Sequence, residues 1–361
     1  MADRIPMILD VDTGIDDALA LLYACASPEV DLLAVTCIGG NVGALQVAEN
    51  TRAVLELAGR IDVPVVLGRE QPLVKELETT PETHGPMGIG YAVLPPPSRA
   101  LEADAAADRI IALARARPGE VALVTLGPLT NLAVALEREP SLPSLLRAVF
   151  VMGGAYRGPG NTTPTTEWNM HVDPDAARAV FAAWRPADAA DRAADRDTLP
   201  AIRPVAMGLD VTERAVLRPA HLGALARRAG ADLADADAMA SEPGRLIGTV
   251  AANPMLRFLG DALRFYFEFH DRFDGFYGAF VHDPFVVAAA IDRSLVRTEP
   301  VFVDVEAGPG LAHGMTVADW RGIAGHPPNL DVAVEGDATT FLDRFVDRVG
   351  GLAAARAVVA P

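Results

Sequence analysis

Cysteine, positive charge and long apolar runs are all scarce in this chain. Only Cys25 and Cys37 occur in 361 residues, both in apolar segments. Two cysteines cannot build a disulfide framework, so both read as small core residues and the expected compartment is reducing. Lys and Arg number 31 against 48 Asp and Glu, giving a formal net charge of -17. Such a surface repels an extended phosphate backbone and no basic run offsets it, which argues against nucleic acid as a partner. No apolar stretch approaches the ~20 residues of a membrane span, so no membrane partner is expected. The first apolar run, residues 5–9, is too short for a signal-peptide core and has no cleavage site after it. The expected location is therefore cytoplasmic.

What is abundant is hydrophobic surface, at 50% of residues. Short apolar runs at 5–12, 32–38, 63–67, 121–126 and 149–152 read as buried strands. Amphipathic segments at 15–26, 44–58, 103–116, 129–137 and 173–183 read as helices between them. This alternation predicts a parallel sheet covered on both faces. The expectation is an α/β fold in a single large domain, residues 1–361, with an open, Rossmann-like and mainly parallel sheet. Residues 70–97, rich in Pro, Gly and Thr, read as a long loop of the kind that lids a site. Residues 185–200 read as a polar surface insertion. From 239 to 278 the pattern is helical and aromatic-rich, with 265–280 expected to form a second lid loop. Residues 299–305 and 331–335 read as late strands, and the tail from Ala338 as an amphipathic helix.

The most informative stretch is Ile8-Leu9-Asp10-Val11-Asp12-Thr13-Gly14-Ile15-Asp16-Asp17-Ala18. It joins a buried strand to a helix, the place where doubly wound sheets bind ligands. Four like charges packed together cost free energy unless a cation or protons offset them. Carboxylate oxygens suit a hard cation. Acidic residues in a first helical turn also favour the helix dipole, which alone would account for Asp16 or Asp17. Capping cannot account for Asp10 and Asp12, which lie on the strand side. An aspartyl phosphatase carries Asp-x-Asp followed two places later by threonine. Here Gly14 holds that place, and the scheme leaves no role for Asp16-Asp17.

The string DVDTGIDDALALL resembles the signature of the nucleoside hydrolase family. Further motifs follow in that family's order: Gly39-Gly40-Asn41-Val42, Leu126-Gly127-Pro128-Leu129-Thr130-Asn131-Leu132-Ala133, Val151-Met152-Gly153-Gly154, Asn161 with Glu167-Trp168-Asn169, Asp173-Pro174 and His282-Asp283-Pro284. The resemblance covers nearly the whole chain and implies hydrolysis of the N-glycosidic bond of ribonucleosides, in nucleoside catabolism. It implies calcium (Ca2+) held by Asp12, Asp17, Asp283 and the backbone carbonyl of Leu126, with Asp10 behind them. Asp12 matches the general base, and His282 matches the leaving-group acid of one branch. Asp16, Asn41, Asn161, Glu167 and Asn169 match ribose-binding positions, and Met152 lines the sugar site. Trp168 shapes the same pocket. His84 aligns with a loop histidine near the base, although Met87 replaces that loop's usual acidic residue. Tyr277 and the aromatics of 265–276 are candidates for the base wall, while His171, His221, His270 and His326 carry no pattern. A homodimer or homotetramer is expected by resemblance. Two alternatives stand beside this reading: a hydrolase of another ribosyl compound, such as a modified nucleoside or nicotinamide riboside, and a nonenzymatic nucleoside-binding paralogue.

Overall fold

The computed structural model describes residues 4–185, 202–232, 237 and 252–357. β1 (Ile5–Val11) is buried along all but its first residue. It is apolar on both faces because a strand covered on both sides has no face to give to water. β2 (Val30–Cys37), β3 (Val65–Leu67), β4 (Ala122–Thr125), β5 (Ala148–Met152) and β6 (Val205–Met207) are largely of the same kind. β7 (Val216–Leu217) and β8 (Ala279–Phe280) form a separate antiparallel pair. β9 (Val296–Val301) returns to the main sheet, β10 (Val303–Val305) pairs with β11 (Thr316–Ala318), and β12 (Leu330–Gly336) completes the main sheet.

The main sheet has eight strands in the order β3-β2-β1-β4-β5-β6-β12-β9. All neighbours are parallel except β12 and β9. The chain winds outward from β1 to β3, then crosses back to β4 on the other side of β1. That reversal opens a crevice beyond the carboxyl ends of β1 and β4, the place where open α/β sheets bind ligands.

Alternate residues of β1 feed two apolar layers, as the two-residue period of a strand requires. Met7, Leu9 and Val11 pack with residues of the helices Ile15–Ala26, Pro254–Phe273, His282–Ile291 and Ala338–Ala357. Ile8 packs with residues of the helices Ala106–Ala116, Thr130–Arg138 and Pro174–Ala183. Both thiols belong to this interior: Cys25 and Cys37 are free, and burial pushes each up to about 12. No helix among the described residues is long and apolar enough to cross a membrane.

Three local expectations need correction. The expected strand 299–305 divides into β9 and β10. The buried Asn329 side chain accepts from Val303 N at 2.8 Å and donates to Val303 O at 2.9 Å, taking both backbone groups out of the main ladder. The expected lid loop 265–280 is helical as far as Phe273, within Pro254–Phe273. Asn253 caps that helix through Met255 N at 2.9 Å, with Pro254 in the first turn. The loop 70–97 contains one helical turn, Pro81–His84. The insertion at 186–200 and the start of the expected 239–278 helix lie outside the described residues.

Candidate active site

The site begins where β1 runs out. Asp12 is 1% exposed, and its Oδ2 accepts Asn41 N at 2.9 Å. Two turns press against the same carboxylate, one after β2 and one after β4. A Cβ at Gly40 would overlap Oδ2, and one at Gly127 would lie 2.6 Å from Oδ1. Only glycine allows the backbone this close.

Asp17 serves two masters. Its Oδ2 accepts Gly14 N at 2.9 Å, capping the helix Ile15–Ala26, and also Asn41 Nδ2 at 3.2 Å. Its Oδ1 accepts Asp12 N at 3.2 Å. Asp283 enters from the first turn of the helix His282–Ile291. One carboxylate oxygen from each of Asp16, Asp17 and Asp283 lies within 4.8 Å of the other two. Asp16, expected at the ribose, therefore also stands at cation-ligand distance, with Asp12 beside the trio. Burial first, then the neighbouring carboxylates, holds Asp12, Asp16 and Asp283 well above the usual carboxylate range. Burial lifts Asp17 to about 6, and its donors Gly14 and Asp12 restrain the rise. No lysine or arginine is among the described residues lining the cavity. The donor set is thus oxygen-rich, buried and without a compensating cation among the described lining residues, which fits a hard divalent cation. Asn41 Oδ1, buried with no hydrogen-bond partner among the described residues, adds a further oxygen.

Asp10 stands behind this group and does not line the cavity. Its Oδ1 accepts Thr36 Oγ1 at 2.6 Å and Asn131 Nδ2 at 2.8 Å, tying β1 to β2 and to the helix Thr130–Arg138. Burial pushes it up to about 7.

A cavity of about 650 Å³ opens over the carboxylates. Leu126, Met152, Glu167 and Asn169 form one wall. Asn169 Nδ2 donates to Leu126 O at 2.6 Å, and Glu167 accepts Asn169 N at 2.9 Å and Gly154 N at 2.9 Å. Glu167 is therefore also the cap of the helix Trp168–Val172. Asn161 and Trp168 close the rim, joined by Trp168 N donating to Asn161 Oδ1 at 3.0 Å. That rim hangs on Asp210, whose carboxylate accepts the backbone N–H groups of Tyr156, Arg157 and Gly158 at 2.7–2.9 Å.

His84 and His282 line the opposite side. His84 Nδ1 accepts Ile15 N at 3.1 Å, so Nε2 carries the hydrogen, and burial lowers the ring to about 3. His282 Nδ1 lies 2.8 Å from Thr212 Oγ1, and burial, with His270 and His84 nearby, lowers it to about 3 as well.

The far end is walled by the helix Pro254–Phe273. Tyr266, Phe269 and Phe273 line the cavity, as does Phe280, whereas Tyr277 packs edge-on against Phe267 and is not among the lining residues. His270, which has no pattern in the sequence, also lines it, with Asp274 and Glu213. The i, i+4 spacing of His270 and Asp274 on a helix was the one available signal. Thr212 and Glu213 gave none, because Thr212 ends a helix one turn long, Leu209–Thr212, and Glu213 is its C-cap. His171, His221 and His326 lie elsewhere, against Glu78, Arg218 N and Phe302.

Residues 7–343 match the inosine-uridine preferring nucleoside hydrolase family. The chain belongs to that family. It is 34% identical to the pyrimidine-specific ribonucleoside hydrolase RihA of Salmonella arizonae over 346 residues, covering 96% of this chain and 98% of the relative. Among solved structures it resembles the purine-preferring ribonucleoside hydrolase from Gardnerella vaginalis, with a TM-score of 0.82, 30% identity and coverage of 97% and 99%. It also resembles the plant nucleoside hydrolase PpNRh1, with a TM-score of 0.80, 28% identity and coverage of 96% and 99%. This nucleoside hydrolase is an enzyme acting on N-glycosyl compounds, a ribonucleoside hydrolase with a buried acidic cluster at its centre. Its relatives carry names for opposite base classes, so relationship leaves the base open.

Proposed function

We propose that the enzyme cleaves ribonucleosides with a calcium ion held by Asp12, Asp17, Asp283 and the Leu126 carbonyl. The observation that carries this reading is the buried carboxylate group at the β1–β4 crevice, which has no cationic side chain to balance it among the described residues lining the cavity. When bound, calcium supplies positive charge that acidifies a coordinated water and grips the sugar's paired hydroxyls.

The protein's own groups do the rest. Asp12, fixed between two glycines, accepts a proton from the attacking water. The water oxygen bonds to the anomeric carbon as the carbon–nitrogen bond breaks. The sugar becomes cation-like as that bond lengthens. Asp16, Glu167 and the amide oxygen of Asn41 offer negative potential to it, and Asn161 closes the rim beside the sugar. Electrons of the broken bond pass to the base nitrogen, which takes a proton through His282. Burial leaves His282 neutral at rest, so its N–H donates to the base nitrogen as negative charge builds there, and the proton that Asp12 took from water returns by way of solvent to restore the ring. Thr212 can set the tautomer this needs: when its hydroxyl donates to Nδ1, at 2.8 Å, the single hydrogen of the neutral ring sits on Nε2, facing the base.

Attack by one water inverts the anomeric carbon. Proton NMR of early turnover should show α-ribose before mutarotation. Initial β-ribose would require a covalent sugar intermediate and overturn the mechanism.

A further inference from the structure

The end of the cavity away from the carboxylates presents hydrogen-bond acceptors. His270 is 4% exposed, and its Nδ1 lies 2.7 Å from Asp274 Oδ2. An ionised carboxylate only accepts, so Nδ1 carries the hydrogen. Burial holds the ring below the usual histidine range, which leaves it neutral and Nε2 bare. That Nε2 is buried with no partner among the described residues. The ring cannot turn over without losing Asp274. Tyr266 at 4.8 Å, Phe280 at 5.0 Å and Phe276 at 5.4 Å between ring centres pin it.

Glu213 is the second acceptor. Its carboxyl lines the cavity and has no hydrogen-bond partner among the described residues. Its charged neighbours are Asp274 and Asp210, and with burial they push it up to about 7. A hydrogen-bond donor from a ligand relieves this end, and an incoming carbonyl oxygen adds a lone pair to it. The aromatic faces of Phe269 and Phe273 stack on any base and do not discriminate.

We propose that His270 Nε2 and Glu213 select nucleobases that carry an exocyclic amino group, cytosine over uracil and adenine over hypoxanthine. Within each pair the exocyclic group changes from amino to oxo, and the adjacent ring nitrogen gains a hydrogen. Only the amino group offers two hydrogens from one atom to two acceptors. The selection cuts across the purine–pyrimidine division. It rests on the hydrolase reading only in placing the base at this end.

The test has two arms. Steady-state kinetics compare kcat/KM for cytidine with uridine, and for adenosine with inosine, in wild type and Glu213→Gln. Calorimetry measures binding of the four free bases to the same proteins, with melting temperature as a folding check. Two hydrogen bonds from the amino group, in place of a carbonyl oxygen facing two acceptors, put the amino preference on the order of 10-fold or more in both pairs. Glu213→Gln should draw both ratios toward one, with the loss falling on the amino-bearing member. A wild-type ratio of one or less, a ratio unmoved by the substitution, or no base binding at all overturns the selection. Absence of ribose from every nucleoside would overturn the hydrolase reading, and the binding arm would still decide the selection.

Discussion

At the scale of single residues, the proposed chemistry rests on how tightly Asp12 is held. Its carboxylate sits between Gly40 and Gly127, where a methyl group has no room. Gly127→Ala should therefore lower kcat by about 100-fold or more, since displacements near 1 Å cost that much. The fold should survive, because the added methyl meets a cavity-facing carboxylate. Circular dichroism and turnover on one preparation check this, and an active Gly127→Ala enzyme would refute the cradle. His282→Ala should cost ~10²–10⁴ in turnover, the span of a lost general acid. Calcium affinity measured by calorimetry should change little, whereas loss of calcium binding would make His282 a structural partner of Asp283. The carboxylates of the first strand-to-helix turn, Asp12 and Asp17, stood out in the sequence because their spacing is local, whereas Asp283, which the structure brings beside Asp16 and Asp17, entered only through the family resemblance. Thr212, His270 and Glu213 did not stand out. Each acts through a partner that only folding supplies: Thr212 through His282, 70 residues away, and His270 and Glu213 through a shared cavity wall.

Elements were legible in proportion to their length and period. β1, the helix Ile15–Ala26 and the helix Ala44–Leu57 follow the sequence pattern almost residue for residue. β6, β7 and β8 span only two or three residues, too few for a two-residue period to register. The aromatic run at 265–273 illustrates the ambiguity of a helical stripe. Phe267 serves the core alone, Tyr266 and Phe269 pack with the core and also line the cavity, and Phe273 lines the cavity from an exposed position. The turn 156–158 depends on a carboxylate from a different segment. Asp210→Ala removes three acceptor bonds that hold this turn and, through it, the rim bearing Asn161. KM should rise on the order of 10-fold with a smaller change in kcat, the pattern of lost ground-state binding. A fall in kcat with KM unchanged would place Asp210 in the chemistry instead.

For the molecule as a whole, the strand order explains why the site is where it is. The reversal between β1 and β4 brings Asp12 and the Leu126 carbonyl to one crevice, and Asp283 arrives on a helix packed against the same face. Four carboxylates, those of Asp12, Asp16, Asp17 and Asp283, meet here with no lysine or arginine among the described residues lining the cavity. The most direct test is ribose release from inosine, uridine, cytidine, adenosine and guanosine, with calcium and with chelator, in wild type and Asp12→Asn. Ribose should form in wild type with calcium and fall by about 100-fold or more with either chelator or Asp12→Asn. Undiminished release in the chelator, or an Asp12→Asn enzyme that keeps wild-type turnover, would contradict the assignment of a cation-assisted water and its base.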